Sequence, residues 1–219
     1  MKQITFYLDF ISPYAYFAFE KLPEALAGIS HQVTYKPMLF AGLLQHYGQL
    51  GPAEIAPKRA WTYRQVDWLA QHHGIPFDLP AAHPFNPIGL LRLAVACDAA
   101  GTPNRHAVET IFRHVWRGGG VPDDAVRLQQ LGETLQPVRA PDAPEVNAQL
   151  KAHGDEAIAR GLFGVPTFAV DDKLFWGFDA LPMLRDYLDA TPWFRGDAWD
   201  EAAAVPQGKT RNAAKPGPA

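Results

Sequence analysis

Hydrophobic and polar positions alternate at the start of the chain. Ile4, Phe6, Leu8 and Phe10 fall on one side of residues 3–10, and Thr5, Tyr7 and Asp9 fall on the other. A period of two, carried by β-branched and aromatic residues, predicts a strand. Ser12-Pro13 follows at once, a serine at the N-cap and a proline at the first helical position. A helix is therefore expected from Tyr14 to Ala27, with Gly28 in the left-handed position that ends it. Residues 32–39 read as a second strand, with Val33 and Tyr35 on one side. Together these form a βαβ unit, whose crossover is expected to be right-handed.

The period then changes to that of helices. Pro57 opens one through His73, closed by Gly74, and Pro87 opens another through Ala100, closed by Gly101. Residues 105–116 carry the cleanest pattern, with Val108, Ile111, Phe112, Val115 and Trp116 at i, i+3, i+4, i+7 and i+8. A further helix starts at Asp123, with Val126, Leu128, Leu131 and Leu135 expected inward, and Pro144 to Arg160 closes at Gly161. Strand character returns at Pro166–Val170 and Lys173–Trp176, joined by an Asp171-Asp172 turn, so these pair as a hairpin. A last helix covers 180–190, and periodicity is lost from Phe194.

Composition narrows the function. A net charge of −3 over 219 residues argues against nucleic acid as the main ligand. The single cysteine, Cys97, excludes an internal disulfide, a cysteine-rich zinc site and a C-x-x-C redox pair. It is expected as inert core in mid-helix. His72 and His73 are adjacent, so they do not share a helical face, and no metal site is expected. The remaining histidines read as surface and cap residues. Gly118-Gly119-Gly120 lacks the Lys-Ser/Thr of a phosphate loop and reads as a flexible connection. No stretch is long and apolar enough for a membrane span, and the acid at Asp9 interrupts any signal-peptide pattern. A cytoplasmic protein is expected.

The chemistry concentrates at Ser12-Pro13-Tyr14-Ala15, between strand and helix. In thioredoxin-like proteins this position holds the reactive C-x-x-C, and here Ser12 and Ala15 replace both thiols. The loop still sets a hydroxyl at a helix N-terminus, where free N–H groups and the helix dipole favour an anion. Ser12 also suits plain capping. It does not suit a serine hydrolase, since no G-x-S-x-G elbow or general base accompanies it.

Residues 6–16, Gly164-Val165-Pro166-Thr167-Phe168 and Phe175-Trp176-Gly177-Phe178-Asp179 occur in order, with a helical stretch between the first two. This arrangement resembles the glutathione-dependent branch of the DsbA-like thioredoxin superfamily, which holds the 2-hydroxychromene-2-carboxylate isomerases and the kappa-class glutathione transferases. The resemblance covers about residues 3–190. It implies an α/β fold: a thioredoxin-like βαβ…ββα domain from 1–40 and 162–192, a helical insertion over 41–161, and a flexible tail over 195–219.

It also implies glutathione as cofactor. Ser12 would stabilise its thiolate, Val165 would pair its backbone with the cysteinyl part ahead of a cis Pro166, and Trp176, Gly177, Phe178 and Asp179 would hold the γ-glutamyl end. Phe178 stands where the family often has a small polar residue. A free thiol has a pKa near 8.5, so about 3% is thiolate at pH 7. Lowering that pKa by about two units needs roughly 2.7 kcal/mol. A hydrogen bond to a charged group supplies about 1.5–3 kcal/mol, and a helix N-terminus about 0.3–1, up to about 2 where partly buried.

On the substrate side, Leu44, Glu54 and His83 align with the family's polar contacts without matching them. Lys58, Arg59 and Arg64 offer positive charge nearby. Tyr14, Trp61 and Lys58 are the candidate substrate contacts. Trp61 and Trp68, seven apart on one helix, are expected in the core, with an apolar substrate pocket as the alternative. The implied activity is glutathione-dependent isomerisation of an electrophilic aromatic substrate. The alternatives are a kappa-like transferase and a non-catalytic glutathione-binding module. The resemblance further implies a homodimer.

Overall fold

A computed structural model describes residues 1–208. Four strands form one sheet in the order β2-β1-β3-β4: β1 is Lys2–Leu8, β2 His31–Pro37, β3 Thr167–Val170 and β4 Lys173–Trp176. Strand β1 pairs parallel with β2 and antiparallel with β3, and β3 pairs antiparallel with β4. This is the expected thioredoxin-like arrangement. Helix α1, Pro13–Ala25, makes the crossover, and Gly28 takes φ +82° beyond its end.

Between β2 and β3 the chain is helical: α2 (Phe40–Tyr47), α3 (Ala56–His73), α4 (Ile88–Ala96), α5 (Arg105–Trp116), α6 (Ala125–Leu135) and α7 (Pro144–Ala159). Helix α2 is absent from the pattern of apolar positions. Its trace in the sequence is Gly48, which closes it at φ +62°. Helix α4 stops at Ala96, so Cys97 caps it instead of lying within it. Cys97 is half-buried, and that burial pushes its thiol pKa up.

The alternation in β1 serves two cores. Ile4, Phe6 and Leu8 join α1, α4 and α5 in the larger one, through Phe17, Leu91 and Phe112. Tyr7, on the other face, packs with Met38, Leu43, Ala157 and Leu162, so α2 and α7 cover the side that could have faced water.

Two helical stripes differ from expectation. Val126 is 61% exposed while Leu131 is buried. It lies two positions from Leu128, about 200° around the helix, and so points away from the 128-131-135 stripe. Trp61 and Trp68 are 62% and 58% exposed, so they are not core; α3 buries Val66 and Ala70 instead. His153 is buried rather than superficial, with Nδ1 2.8 Å from the Pro37 carbonyl.

After β4, helix α8 spans Leu181–Leu188. Two short helices follow, α9 (Pro192–Arg195) and α10 (Ala198–Ala203), in place of an irregular tail. Trp199 and Phe194 pack on Phe175 of β4, at ring distances of 5.6 and 6.1 Å. The part of the expected tail beyond residue 208 lies outside the described residues. Among the described residues, no helix is long and apolar enough to cross a membrane.

Candidate active site

The Ser12 loop joins the end of β1 to the start of α1. Ser12 is the N-cap, with φ −91° and ψ 114°, and its Oγ accepts the Ala15 N–H at 3.2 Å. Its carbonyl accepts from Tyr16 N at 3.2 Å, starting the helix ladder. Only 8% of the residue is exposed. Because Oγ accepts from the backbone, its own proton is available to a ligand at the helix end.

The rest of the loop is held from outside it. The Phe10 carbonyl accepts the Trp116 Nε1–H of α5 at 3.0 Å. The Ile11 N–H donates to Asp9 Oδ1 at 3.1 Å, and the Phe40 N–H at the start of α2 donates to Asp9 Oδ2 at 2.9 Å. Asp9 is fully buried. Burial pushes its carboxyl up to about 7, against the pull of backbone N–H groups from Phe40, Ile11 and Phe10. His83 Nε2 lies 2.8 Å from the Ile11 carbonyl.

The second wall comes from the hairpin. The Val165–Pro166 peptide is cis. Thr167 sits opposite Tyr7 of β1 and Trp176 of β4, which brings the Pro166 loop and the 176–179 turn to the Ser12 end of the sheet. The Gly177 N–H donates to the Pro166 carbonyl at 2.9 Å, tying these two segments together. Gly164 leaves the space that the Trp176 indole nitrogen occupies, where a Cβ would collide with it. Gly177, at φ +105°, likewise leaves room for the Asp179 carboxylate. Phe178 packs edge-on to Phe17 of α1 and to His73 of α3, at 5.9 and 5.0 Å. Its side chain is thus committed to packing.

Tyr14 completes the group. Its hydroxyl donates to Gln65 Oε1 of α3 at 2.8 Å. Burial, and next the charge of Asp179, raise its pKa. Ser12, Tyr14, Val165, Pro166, Trp176, Gly177, Phe178 and Asp179 therefore gather around one end of α1. Lys58 and Trp61 do not join them closely. Trp61 lies one turn before Gln65 and Lys58 a turn earlier, both on the exposed stripe of α3.

Periodicity gives no sign of Asp9, Gln65 or Trp116 as supports of the loop. The signal for Asp9 is an acid closing an otherwise apolar strand. Three cavities of about 830, 720 and 280 Å3 lie elsewhere, and none of the three is lined by Ser12. Among the described residues, no cluster of three or more His, Cys, Asp or Glu could hold a metal ion.

A donor hydroxyl and helix N–H groups at the start of α1 suit an anionic group. Residues 3–189 match the family model of the DSBA-like thioredoxin domain. A 2-hydroxychromene-2-carboxylate isomerase of Sphingobium xenophagum is 29% identical over 198 residues, 85% of this chain and 98% of that protein. The glutathione S-transferase kappa 2 of Caenorhabditis elegans is 29% identical over 209 residues, covering 85% and 92%. A solved 2-hydroxychromene-2-carboxylate isomerase superposes with a TM-score of 0.74 at 24% identity, over 89% of this chain and 98% of that one.

Proposed function

This chain belongs to the DSBA-like thioredoxin domain family, and on that premise we propose that it is a glutathione-dependent isomerase of an electrophilic, aromatic unsaturated substrate. The observation that carries the reading is the Ser12 hydroxyl at the N-terminus of α1, in the position where a family thiol would stand. The only cysteine, Cys97, caps α4. The reactive sulfur then arrives with the ligand.

The donor set fits glutathione. Asp179 offers a carboxylate to its ammonium, with Gly177 leaving the space that lets the carboxylate sit there. Val165 offers its backbone beside the cis bond, and Trp176 a half-exposed indole. Phe178 contributes its backbone, since its ring faces Phe17 and His73. When bound, glutathione would supply a thiolate nucleophile, whose addition to the substrate double bond leaves a single bond free to rotate and whose elimination restores the double bond and the thiolate. Ser12 donates its proton as a hydrogen bond to that sulfur, and α1 adds its dipole. Tyr14 is proposed on the substrate side, with Trp61 and Lys58 of the exposed face of α3 as more distant candidates. The relatives named as isomerases act on a small molecule, and the same is proposed here, in a cytoplasmic homodimer.

A kappa-like transferase is the second reading, favoured by the equal identity to the Caenorhabditis elegans protein. Product analysis separates the two, because a transferase consumes glutathione stoichiometrically and an isomerase needs only catalytic amounts. Replacing Ser12 with alanine tests the shared site. The cap loss costs about 1 kcal/mol, so the fold survives while most turnover disappears. Full activity in a folded S12A enzyme would remove Ser12 from the chemistry.

A further inference from the structure

The peptide group joining Ile11 to Ser12 is pinned at both polar ends. Its N–H, on Ser12, donates to the Asp9 carbonyl at 3.1 Å. Its C=O, on Ile11, faces His83 Nε2 at 2.8 Å. A carbonyl only accepts, so Nε2 carries the proton in this contact. A peptide plane held at one end can swing about its flanking bonds; one held at both cannot without breaking a hydrogen bond. The swing matters here, because the orientation of this plane fixes φ of Ser12 and hence where Oγ points.

His83 is braced in turn. It stands on the connection between α3 and α4. Its Nδ1 and its carbonyl lie 3.0 and 2.7 Å from the Tyr63 hydroxyl, and with the ring proton on Nε2 the single Tyr63 proton serves one of these two acceptors. Arg59 Nη2 donates to the same carbonyl at 3.1 Å, and Arg59 Nε to the Tyr63 oxygen at 3.2 Å. The imidazole also packs against Phe85 and Trp116, at 5.9 and 5.6 Å, and Trp116 holds the neighbouring Phe10 carbonyl. Nε2 is taken by the Ile11 carbonyl, and Nδ1 is covered by the Tyr63 hydroxyl.

We propose that His83 is a positioning residue for Ser12: its Nε2–H clamps the Ile11 carbonyl, and Tyr63 and Arg59 hold the imidazole to that task. The proposal rests on Ser12 having the role given above. It assigns a function in the reaction to a side chain of the helical segment that touches neither glutathione nor substrate.

Three variants test it. His83→Ala removes the clamp. His83→Gln restores an amide N–H near the same place. Tyr63→Phe leaves the ring but loosens it. The main readout is the pKa of the glutathione thiol bound to each protein, followed by ultraviolet thiolate absorbance. The clamp predicts a rise of about one unit in His83→Ala, which is a tenfold loss of thiolate below the pKa. kcat should fall in step while KM for glutathione changes little. Gln should recover most of this, and Tyr63→Phe should fall between Ala and wild type.

An unchanged thiol pKa in folded His83→Ala would overturn the proposal. If that variant does not fold, a thiol pKa left at the wild-type level in Tyr63→Phe would overturn it equally. Amide hydrogen exchange at Ser12 needs no ligand. Faster exchange there in His83→Ala supports the clamp, and unchanged exchange refutes it. Absence of any glutathione-induced thermal shift in the wild type would instead refute the glutathione reading, so the two failures are told apart.

Discussion

Asp9 is a carboxyl placed where charge is costly, and two backbone donors still point at its oxygens. Its folded pKa, about 7, lies above the unfolded carboxylate range near 4. The unfolded chain therefore loses this proton first as pH rises. Asp9 should favour the fold below about pH 4, and that contribution should be lost between about pH 4 and 7. The expected trend is a decline in unfolding free energy over this window, approaching about 1.4 kcal/mol per pH unit at most, and flat above it. Urea titrations at stepped pH measure it, and Asp9→Asn should flatten the slope. That variant should itself be less stable by about 1–3 kcal/mol, because an amide cannot serve both N–H groups. Gly164 makes a different demand. Alanine there meets the Trp176 indole, so Gly164→Ala should displace that ring, shift tryptophan fluorescence and cost about 1–3 kcal/mol. Under the glutathione reading, it should also weaken glutathione binding in a calorimetric titration.

At the scale of elements, α1 and α5 show how far pattern reading reaches. The start of α1 is legible because Ser12-Pro13 states a cap in two residues, and α5 because its apolar stripe is unbroken. Helix α2 is hidden by its length and by following β2 after a short turn. Trp61 and Trp68 mislead because hydrophobicity alone does not say which stripe of α3 meets the core. For the candidate site, the Ser12, Pro166 and Asp179 segments are legible as local motifs, and the cis bond at Pro166 agrees with the reading. Their supports are not, because Trp116 and His83 reach the loop only through the tertiary fold. Helix α5 does more than pack: Trp116→Phe keeps most of its volume but strands the Phe10 carbonyl. It should cost about 1–3 kcal/mol in chemical denaturation, against about 3–5 for Phe112→Ala in the same helix. In α10, Trp199 covers Phe175 and takes the Lys173 ammonium over its ring at 5.4 Å. Trp199→Ala should lower Tm without touching the Ser12 loop.

Across the whole molecule, the candidate site joins segments far apart in sequence, the Ser12 loop and the 164–179 stretch. Any ligand that bridges them should stabilise the fold as a unit. Glutathione at about 100 times its Kd should add about 2.7 kcal/mol, read as a rise in Tm, and this should persist in His83→Gln. The sheet has a further consequence, in the order of events during synthesis. β1, Lys2–Leu8, is synthesised long before one of its two neighbours, β3, which begins at Thr167. Until then one edge of the central strand is unpaired, the state in which nascent strands are most prone to wrong partners. The covers of the Ser12 loop arrive earlier, His83 and then Trp116. Pairing across such long sequence separation favours slow closure, so the contact between β1 and β3 is expected to form late.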